Sequence, residues 1–199
     1  MKELILKLKL DKPNNIGFFR RFISYMLDWY IGGMLTSLPL VITYTMINSG
    51  NTTIIEQNIN IFEYPLNIII GLLSFMVAAF YYVFVPMYIY NGQTLGKKIM
   101  KLRIVNNDYT TVTRKQIFIR QFVIILLLEG SLYTSSNMLH QVLNEVTGAN
   151  IVSIYNTIGI GITVLSAILV IIFKSRRALH DVIVNTRVVT EVSSKIALA

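Results

Sequence analysis

Four long apolar runs constrain this 199-residue chain more than any other feature of its sequence. They cover residues 18–47, 66–90, 116–139 and 151–173. About 20 predominantly apolar residues are enough to cross a bilayer as an α-helix. Because 54% of the residues are hydrophobic and only 14% are charged, the chain has too little polar surface to cover a soluble globule of its size. The sequence therefore predicts an all-α polytopic membrane protein with about four transmembrane helices.

The third run, 116–139, is less uniform than the other three. Arg120 and Gln121 interrupt its first half, and Glu129 begins a more polar stretch that continues to Asn137. Two interpretations stay open for this run: a complete crossing, or an interfacial or re-entrant segment.

The distribution of Lys and Arg predicts the orientation of the chain. Six of the eighteen basic residues lie before or at the start of the first run, seven lie between the second run and the start of the third, with Arg120 the last of them, and five follow the fourth, whereas 48–65 and 140–150 contain none. Cytoplasmic loops retain such residues close to the spans. Four crossings keep every basic cluster on one side, so we expect a multi-pass protein of the cell membrane with both termini in the cytoplasm.

The first run carries a polar stripe on an otherwise apolar helix. Arg21, Ser24 and Asp28 follow one another at i, i+3 and i+7, which places them on one face. A charged side chain inside a span costs ~2.5 to 3.5 kcal/mol on insertion scales, so each charge is a candidate site. Arg21 fits either a site or a cationic anchor that reaches the interface. Asp28 fits either a structural pair between helices or an ion or proton site, because its short side chain reaches the interface less easily.

Further charged groups lie where they can meet this stripe. Glu129 belongs to the third run, where structural, interfacial and site roles all stay open. The charged residues that follow the fourth run are expected to fold back to the inner end of the bundle. The candidate ion, proton or structural charge network comprises Arg21, Asp28, Glu129, Arg177, His180 and Asp181.

The segment 91–105 combines basic and apolar residues after a turn that contains glycine. We expect it to lie on the membrane as a short amphipathic segment, with its apolar residues inserted. Each basic residue would contribute ~1 kcal/mol through anionic lipid headgroups. The basic residues are Lys97, Lys98, Lys101 and Arg103, and the inserted residues are Leu95, Ile99, Met100 and Leu102.

Two further patterns lie near this segment. Residues 101–105 and 110–113 flank an Asn/Asp turn at 106–109, which predicts a short hairpin, and alternation over 182–189 predicts an added strand. Aromatic residues near the inner end of the second run are typical of an interfacial belt: Tyr81, Tyr82, Tyr88 and Tyr90.

Several function classes are disfavoured by the sequence. The chain has no cysteine, and neither His140 nor His180 has a spacing typical of a zinc site, so we expect no metal and no other cofactor. Gly92 and Gly96 are separated by three residues instead of the four of a phosphate-binding loop, and Lys97 is not followed by Ser or Thr. The chain also lacks a convincing nucleophile or catalytic dyad, which predicts that it is not an enzyme. Its net charge of +8 is segregated beside the apolar runs, which favours lipid over nucleic acid.

Three separated motifs occur together in this chain. They are Arg21-x-x-Ser24-x-x-x-Asp28, Gly92-Gln-Thr-Leu-Gly96-Lys-Lys-x-x-x-Leu-Arg-Ile-Val105 and Arg177-Ala-Leu-His180-Asp181. In this order they resemble the RDD family of bacterial membrane proteins over about residues 16–190. The arginine and two aspartates of the family name match Arg21, Asp28 and Asp181.

The resemblance implies a helical bundle with cytoplasmic termini. A single transmembrane domain at 18–190 would then lie between a cytoplasmic N-terminal segment, 1–17, and a cytoplasmic tail, 191–199. The chain departs from the family pattern at Ser24, where alanine is frequent, and at Asn185, where glycine is frequent. Sodium/proton antiport has been proposed for some members of the family.

Two functions are compatible with these residues. In a secondary transporter that exchanges cations for protons, Asp28 would alternate between cation-bound and protonated states, with Arg21 adjusting its proton affinity and Asp181 at the cytoplasmic mouth. Four spans enclose little space, so this function favours a homo-oligomer. In an accessory or scaffold protein, the same charges would hold the loop, the tail and the first span together as a docking platform for a protein partner that the sequence does not identify.

Overall fold

The computed structural model describes residues 11–14, 16–48, 57–129, 134–149 and 151–191 of the chain. Of the expected N-terminal segment, 1–17, it describes residues 11–14, 16 and 17. Of the expected tail, 191–199, it describes Glu191, and the other residues of the tail lie outside the described part.

Helices account for most of the described chain. In order, the elements are α1 (Phe18–Ile47), a 3₁₀ turn (Ile59–Ile61), α2 (Leu66–Ile89), α3 (Leu95–Ile99), β1 (Leu102–Asn106), α4 (114–128), α5 (Thr134–Thr147), α6 (Ile151–Ile172), α7 (Leu179–Ile183) and β2 (Thr186–Thr190). By length and composition, α1, α2 and α6 can each span a bilayer. The prediction of a mainly helical membrane protein is confirmed, while the four crossings and the cytoplasmic termini stay predictions.

The outer faces of these long helices are apolar. In the most apolar windows of α1 and α6, only 17% and 22% of the residues are buried. Large side chains such as Met34, Ile158 and Ile172 are more than half exposed. Apolar surface on this scale requires an apolar solvent, which the hydrocarbon core of a bilayer provides.

The last part of α2 and most of α4 contain wide helical turns. Over Phe80–Ile89 and Ile119–Leu128 the turns follow an i to i+5 hydrogen-bond pattern. Pro86 lies in the first of these stretches and has no N–H to donate to a regular turn. A wide turn separates successive side chains by a smaller angle, so two adjacent residues can face the same neighbour. Tyr81 and Tyr82 lie in the first stretch, and Arg120 lies in the second.

The third apolar run, 116–139, for which a complete crossing and an interfacial or re-entrant segment were both open, is not one continuous helix. Instead, α4 ends at Leu128 and α5 begins at Thr134. The two parts of α4 have 5 and 10 residues, fewer together than the roughly 20 needed to cross a bilayer. Glu129, which follows α4, is buried and accepts a hydrogen bond from Ser166 of α6. The helix therefore stops where a carboxylate finds a polar partner on a neighbouring helix.

One end of the bundle carries a small cap, formed by residues 11–14, 16, 91–113 and 174–191. In this cap β1 and β2 pair antiparallel, in a register that places Leu102 opposite Thr190. Asn14 Nδ2 donates a hydrogen bond to Val188 O at 2.7 Å, which attaches the N-terminal segment to β2. The apolar core of the cap consists of Ile16, Leu102, Ile104, Val105, Val188 and Val189. Three segments far apart in sequence thus meet at one end of the bundle.

The predicted hairpin over 101–113 is wrong in its pairing. The strand β1 pairs along its length with β2. Residues 110–113 meet β1 at an isolated bridge between Val105 and Thr111. The predicted strand at 182–189 begins later, because residues 182 and 183 belong to α7. The physical reason is burial: residues 110–113 are mostly exposed, whereas β2 supplies apolar side chains to the core of the cap.

Candidate functional site

Asp28 lies on α1, roughly 15 Å along the helix from its first residue. The residue is only 2% exposed. Its Oδ1 accepts hydrogen bonds from Tyr81 Oη at 2.8 Å and from Gly96 N at 2.9 Å. Its Oδ2 accepts hydrogen bonds from Thr94 Oγ1 at 2.5 Å and from Lys97 Nζ at 3.0 Å. This Asp28 centre therefore has four donors, of which one is a cation.

Two glycines allow neighbouring elements to approach α1 this closely. A Cβ atom at Gly96 would lie 2.5 Å from Ser24 O and 2.8 Å from Asp28 Oδ1. A Cβ atom at Gly32 would lie 2.0 Å from Tyr82 Oη, which donates a hydrogen bond to Asp28 O at 2.8 Å. Glycine has no Cβ atom at these two positions, so α3 and α2 can both pack directly against the polar stripe of α1.

The aromatic-belt prediction is wrong for Tyr81 and Tyr82. These residues are 2% and 4% exposed, and both hydroxyl groups donate hydrogen bonds to Asp28. They are adjacent in sequence and lie in the wide turns of α2, which lets both rings face α1. By contrast, Tyr88 is 50% exposed, as expected for a residue at the interface.

The basic loop differs in part from the predicted lipid-facing surface. Lys97 turns inward to Asp28, and Leu102 is fully buried in the core of the cap, so the prediction that Leu102 inserts into lipid is wrong. Arg103 lies 3.6 Å from Glu191. The exposed residues of the segment include Lys98, Ile99 and Lys101. Packing of β1 against β2 explains the difference, because it withdraws one side of the segment from the membrane.

Asp181 of α7 forms a second buried centre. Its Oδ1 accepts hydrogen bonds from Arg120 Nε at 3.1 Å, from Arg120 Nη2 at 2.9 Å and from Thr186 Oγ1 at 3.2 Å. Its Oδ2 accepts hydrogen bonds from Arg21 Nη2 at 3.0 Å and from Ala178 N at 3.3 Å. Asp181 and Arg120 are 0% and 2% exposed. This Asp181 centre joins α1, α4 and α7 through one carboxylate and two guanidinium groups.

The charges around Asp181 keep it ionised. Burial by itself would raise the pKa of the Asp181 carboxyl, because it disfavours the charged form. Arg120, His180 and Arg21 outweigh burial and hold the pKa well below its usual range. The Asp181 carboxyl is therefore suited to a permanent ion pair and is poorly suited to proton exchange near neutral pH.

Arg177 stabilises the backbone beside Asp181. The residue is fully buried, and its Nη2 donates a hydrogen bond to Asp181 O at 2.9 Å. Its Nε donates to Thr186 O at 2.9 Å, and its Nη1 forms an ion pair with Asp11. Arg177 thus connects the N-terminal segment, α7 and β2 without contacting the Asp181 carboxylate.

His180 links the Asp181 centre to Glu129. Its Nδ1 lies 2.8 Å from Glu129 Oε2, and its Nε2 lies 3.9 Å from Asp181 Oδ2. Ser166 Oγ donates to Glu129 Oε1 at 2.8 Å and accepts a hydrogen bond from Leu179 N at 3.1 Å. The end of α4, α6 and α7 are therefore joined by one chain of polar contacts.

The six candidate charges fall into two groups instead of one site. Arg21 bonds to Asp181, whereas Asp28 bonds to Lys97. Distance along α1 explains this separation, since the two residues lie two turns apart. The Asp181 centre includes or adjoins Arg21, Glu129, Arg177, His180 and Asp181.

Some hydrogen-bond donors of both centres received no role, or a different role, from the sequence. In the sequence Arg120 stands out only as a charge that interrupts an apolar run, yet it donates twice to Asp181. Thr94 belongs to the motif after the second run but received no role of its own, and Tyr81 was assigned to an interfacial belt. Among the described residues, no group of three or more His, Asp or Glu side chains is arranged to hold a metal ion.

Comparison with known proteins bears on this arrangement. A family model described as RDD family matches residues 16–185, which is most of the chain. No curated protein and no solved structure gives a significant match. The matched range contains Asp28, Asp181 and the charged side chains that bind them.

Proposed function

The chain belongs to the RDD family, and we propose that this integral membrane protein exchanges a monovalent cation for a proton at Asp28. One observation carries the proposal: Asp28 is a buried carboxylate on a helix apolar enough to span a bilayer, and the ammonium of Lys97 occupies its Oδ2. A carboxylate at such depth is costly unless it is paired or takes up a proton or a cation.

We propose four crossings with both termini in the cytoplasm. The cap contains segments from before α1, from between α2 and α4, and from after α6. If α1 leads away from the cap, α2 returns to it. Since α6 also returns to the cap, α4 and α5 together lead away from it. The many basic residues at this end favour its location in the cytoplasm.

Oxygen atoms beside Asp28 are suited to a small cation. Thr94 Oγ1 and Tyr81 Oη lie within hydrogen-bond distance of the carboxylate. Ser24, one turn earlier on the same face, is 2% exposed, and its Oγ has no hydrogen-bond partner among the described residues. Hard cations take carboxylate and hydroxyl oxygens as ligands.

The exchange step follows from the single charge of Asp28. The protonated carboxyl releases H⁺ and the resulting carboxylate then binds the cation M⁺, so one cation replaces one proton and the charge of the site is unchanged. Lys97 neutralises the carboxylate between these two states and moves away before a cation enters. We propose that the exchanging unit is a homo-oligomer, because four crossings enclose little space.

Transport by purified protein in liposomes tests the proposal. The vesicles contain a pH-sensitive dye, and sodium, potassium and lithium gradients are imposed in turn. We expect a cation-dependent pH change with the wild type and none with Asp28→Asn. Asp108→Asn is the matched control, because Asp108 lies in an exposed turn of the cap and its change should leave exchange intact. Silence of the folded wild type in all three gradients, or full activity of Asp28→Asn, would overturn the proposal.

A docking scaffold is the second candidate function. The Asp181 centre supports it, because Arg21 and Arg120 bind one buried carboxylate and thereby join α1 and α4 to α7 of the cap. Such a platform requires no transport path. If it is the function, a protein complex should be recovered with wild type at low salt and be lost when Lys98 and Lys101, both exposed, are changed to Gln.

A further inference from the structure

A cavity of about 330 Å³ lies between the cap and the ends of α2 and α4. Nine residues line it, among them Arg103 of β1 and Arg114 at the start of α4, and none of the nine is acidic. Met87 of α2 and Ile117 of α4 line the same cavity. We propose that this cavity binds the phosphate of an anionic phospholipid headgroup, held by Arg103 and Arg114.

Arg103 lines the cavity and carries a hydrogen-bond donor that the described residues leave unused. Its Nε is buried and has no hydrogen-bond partner among the described residues. Its Nη2 lies 3.6 Å from Glu191 Oε1, which is longer than a hydrogen bond. A buried donor without a partner is unfavourable, and a phosphate oxygen would satisfy it through a charge-assisted bond. Glu191 is the acidic neighbour with which the phosphate competes.

Arg114 supplies a second cation from the exposed side of the cavity. Its Cζ lies 4.8 Å from the centre of the Tyr88 ring, and both residues are exposed. A guanidinium group stacked on a ring keeps the N–H groups at its edge free to donate. Both arginines therefore line one cavity, and none of the residues that line it carries a carboxylate.

The position of the cavity favours a membrane lipid as the source of the phosphate. Tyr88 lies at the end of the apolar helix α2, the level at which tyrosines contact headgroups. Apolar lining from Ile104, Val112 and Ile117 is suited to the glycerol and upper acyl region of a lipid. A soluble phosphate would leave this apolar surface without a partner.

Lipid titration of the full-length protein tests the inference. Protein in a neutral detergent is titrated with short-chain phosphatidylglycerol while thermal unfolding is followed, and we expect a saturable rise in Tm. The double variant Arg103→Gln with Arg114→Gln should bind at least about tenfold more weakly. Lys115→Gln is the matched control, because it removes an exposed charge beside Arg114 that does not line the cavity. This control should change affinity less than about twofold.

Parallel titrations with phosphatidylcholine and with inorganic phosphate distinguish the sources. A response restricted to phosphatidylglycerol supports the inference, whereas an equal response to inorganic phosphate or to phosphatidylcholine overturns it. Equal weakening by Lys115→Gln would indicate diffuse attraction and would also overturn it. If the double variant does not fold, Arg114→Gln alone provides the test. Asp28→Asn should keep full lipid binding, so this inference stands or falls separately from cation exchange.

Discussion

The Lys97 ammonium lies 3.0 Å from Asp28 Oδ2, although 69 positions separate the two residues in the chain. Thr94 Oγ1 contacts both groups, at 2.5 Å from Asp28 Oδ2 and 3.1 Å from Lys97 Nζ. This contact joins the basic loop to the first helix, so removal of either charge should affect the other residue.

We expect Lys97→Met to lower the free energy of unfolding by about 2 kcal/mol, because a hydrogen bond to a charged group is lost and a buried carboxylate keeps its charge. The double variant Lys97→Met with Asp28→Asn should lose less unfolding free energy than the sum of the losses in the two single variants. Denaturant unfolding in detergent measures this cycle. Lys98→Met is the control, because Lys98 is exposed and its ammonium lies over the Tyr90 ring instead of beside Asp28. Strict additivity of the two changes would contradict the coupling.

Asp181→Asn should destabilise the protein more than Lys97→Met. The change leaves Arg21 and Arg120 without their shared carboxylate, and breaking a buried pair costs about 3–5 kcal/mol. The unfolding midpoint in detergent is the measurement. Glu145→Gln, at an exposed position, should stay within about 0.5 kcal/mol of wild type. Equal unfolding midpoints for Asp181→Asn and Glu145→Gln would argue against a structural role of the Asp181 centre.

Stability should fall in acid because of Asp181. Its folded pKa is held below its usual value, and an unfolded aspartate has a pKa of about 3.9. The stabilisation from its ionised form is therefore complete above about pH 5 and is lost progressively as the pH falls below about 4 toward the folded pKa. Thermal unfolding from pH 3 to 7 should show the difference between wild type and Asp181→Asn shrinking at the acid end. A difference that is constant across this range would contradict the assignment.

Gly96→Ala should disrupt the Asp28 centre. The added Cβ would lie 2.5 Å from Ser24 O, a backbone atom that cannot move aside easily. We expect a loss of about 1–3 kcal/mol in unfolding free energy, as for other overpacked sites. Gly161→Ala is the matched control: nothing lies within 4 Å of its added Cβ, and alanine favours helix. Equal stability of the two variants would show that the close approach of α3 to α1 is not required.

Labelling of single cysteines tests the proposed orientation. The chain has no cysteine of its own, so Asp108→Cys in the cap and Glu145→Cys in α5 each introduce one thiol. A maleimide that cannot cross the membrane should label position 145 in intact cells and position 108 only after permeabilisation. The reverse pattern would place the cap outside the cell.

The helical membrane fold was predictable because its cause is local. An apolar run of sufficient length forms a helix in lipid whatever its neighbours are, since the backbone must bond internally. The break after Leu128 was visible as a polar stretch that begins at Glu129, but its interpretation stayed open. The meeting of Arg21 with the residues after the fourth run was also anticipated, and the structure pairs it with Asp181.

By itself, the sequence determined the long apolar helices, the segregation of basic residues to one end, and the presence of buried charges that need partners. Only the tertiary structure decided which partner each charge has. Asp28 lies near many basic residues in the chain, but Lys97 reaches it because Gly96 allows α3 to contact α1. Likewise, Arg120 reaches Asp181 through the packing of α4 on α7. Such pairings depend on close packing between segments that are distant in the chain. A single sequence shows which residues are charged, but it does not give the distances between them in the folded protein.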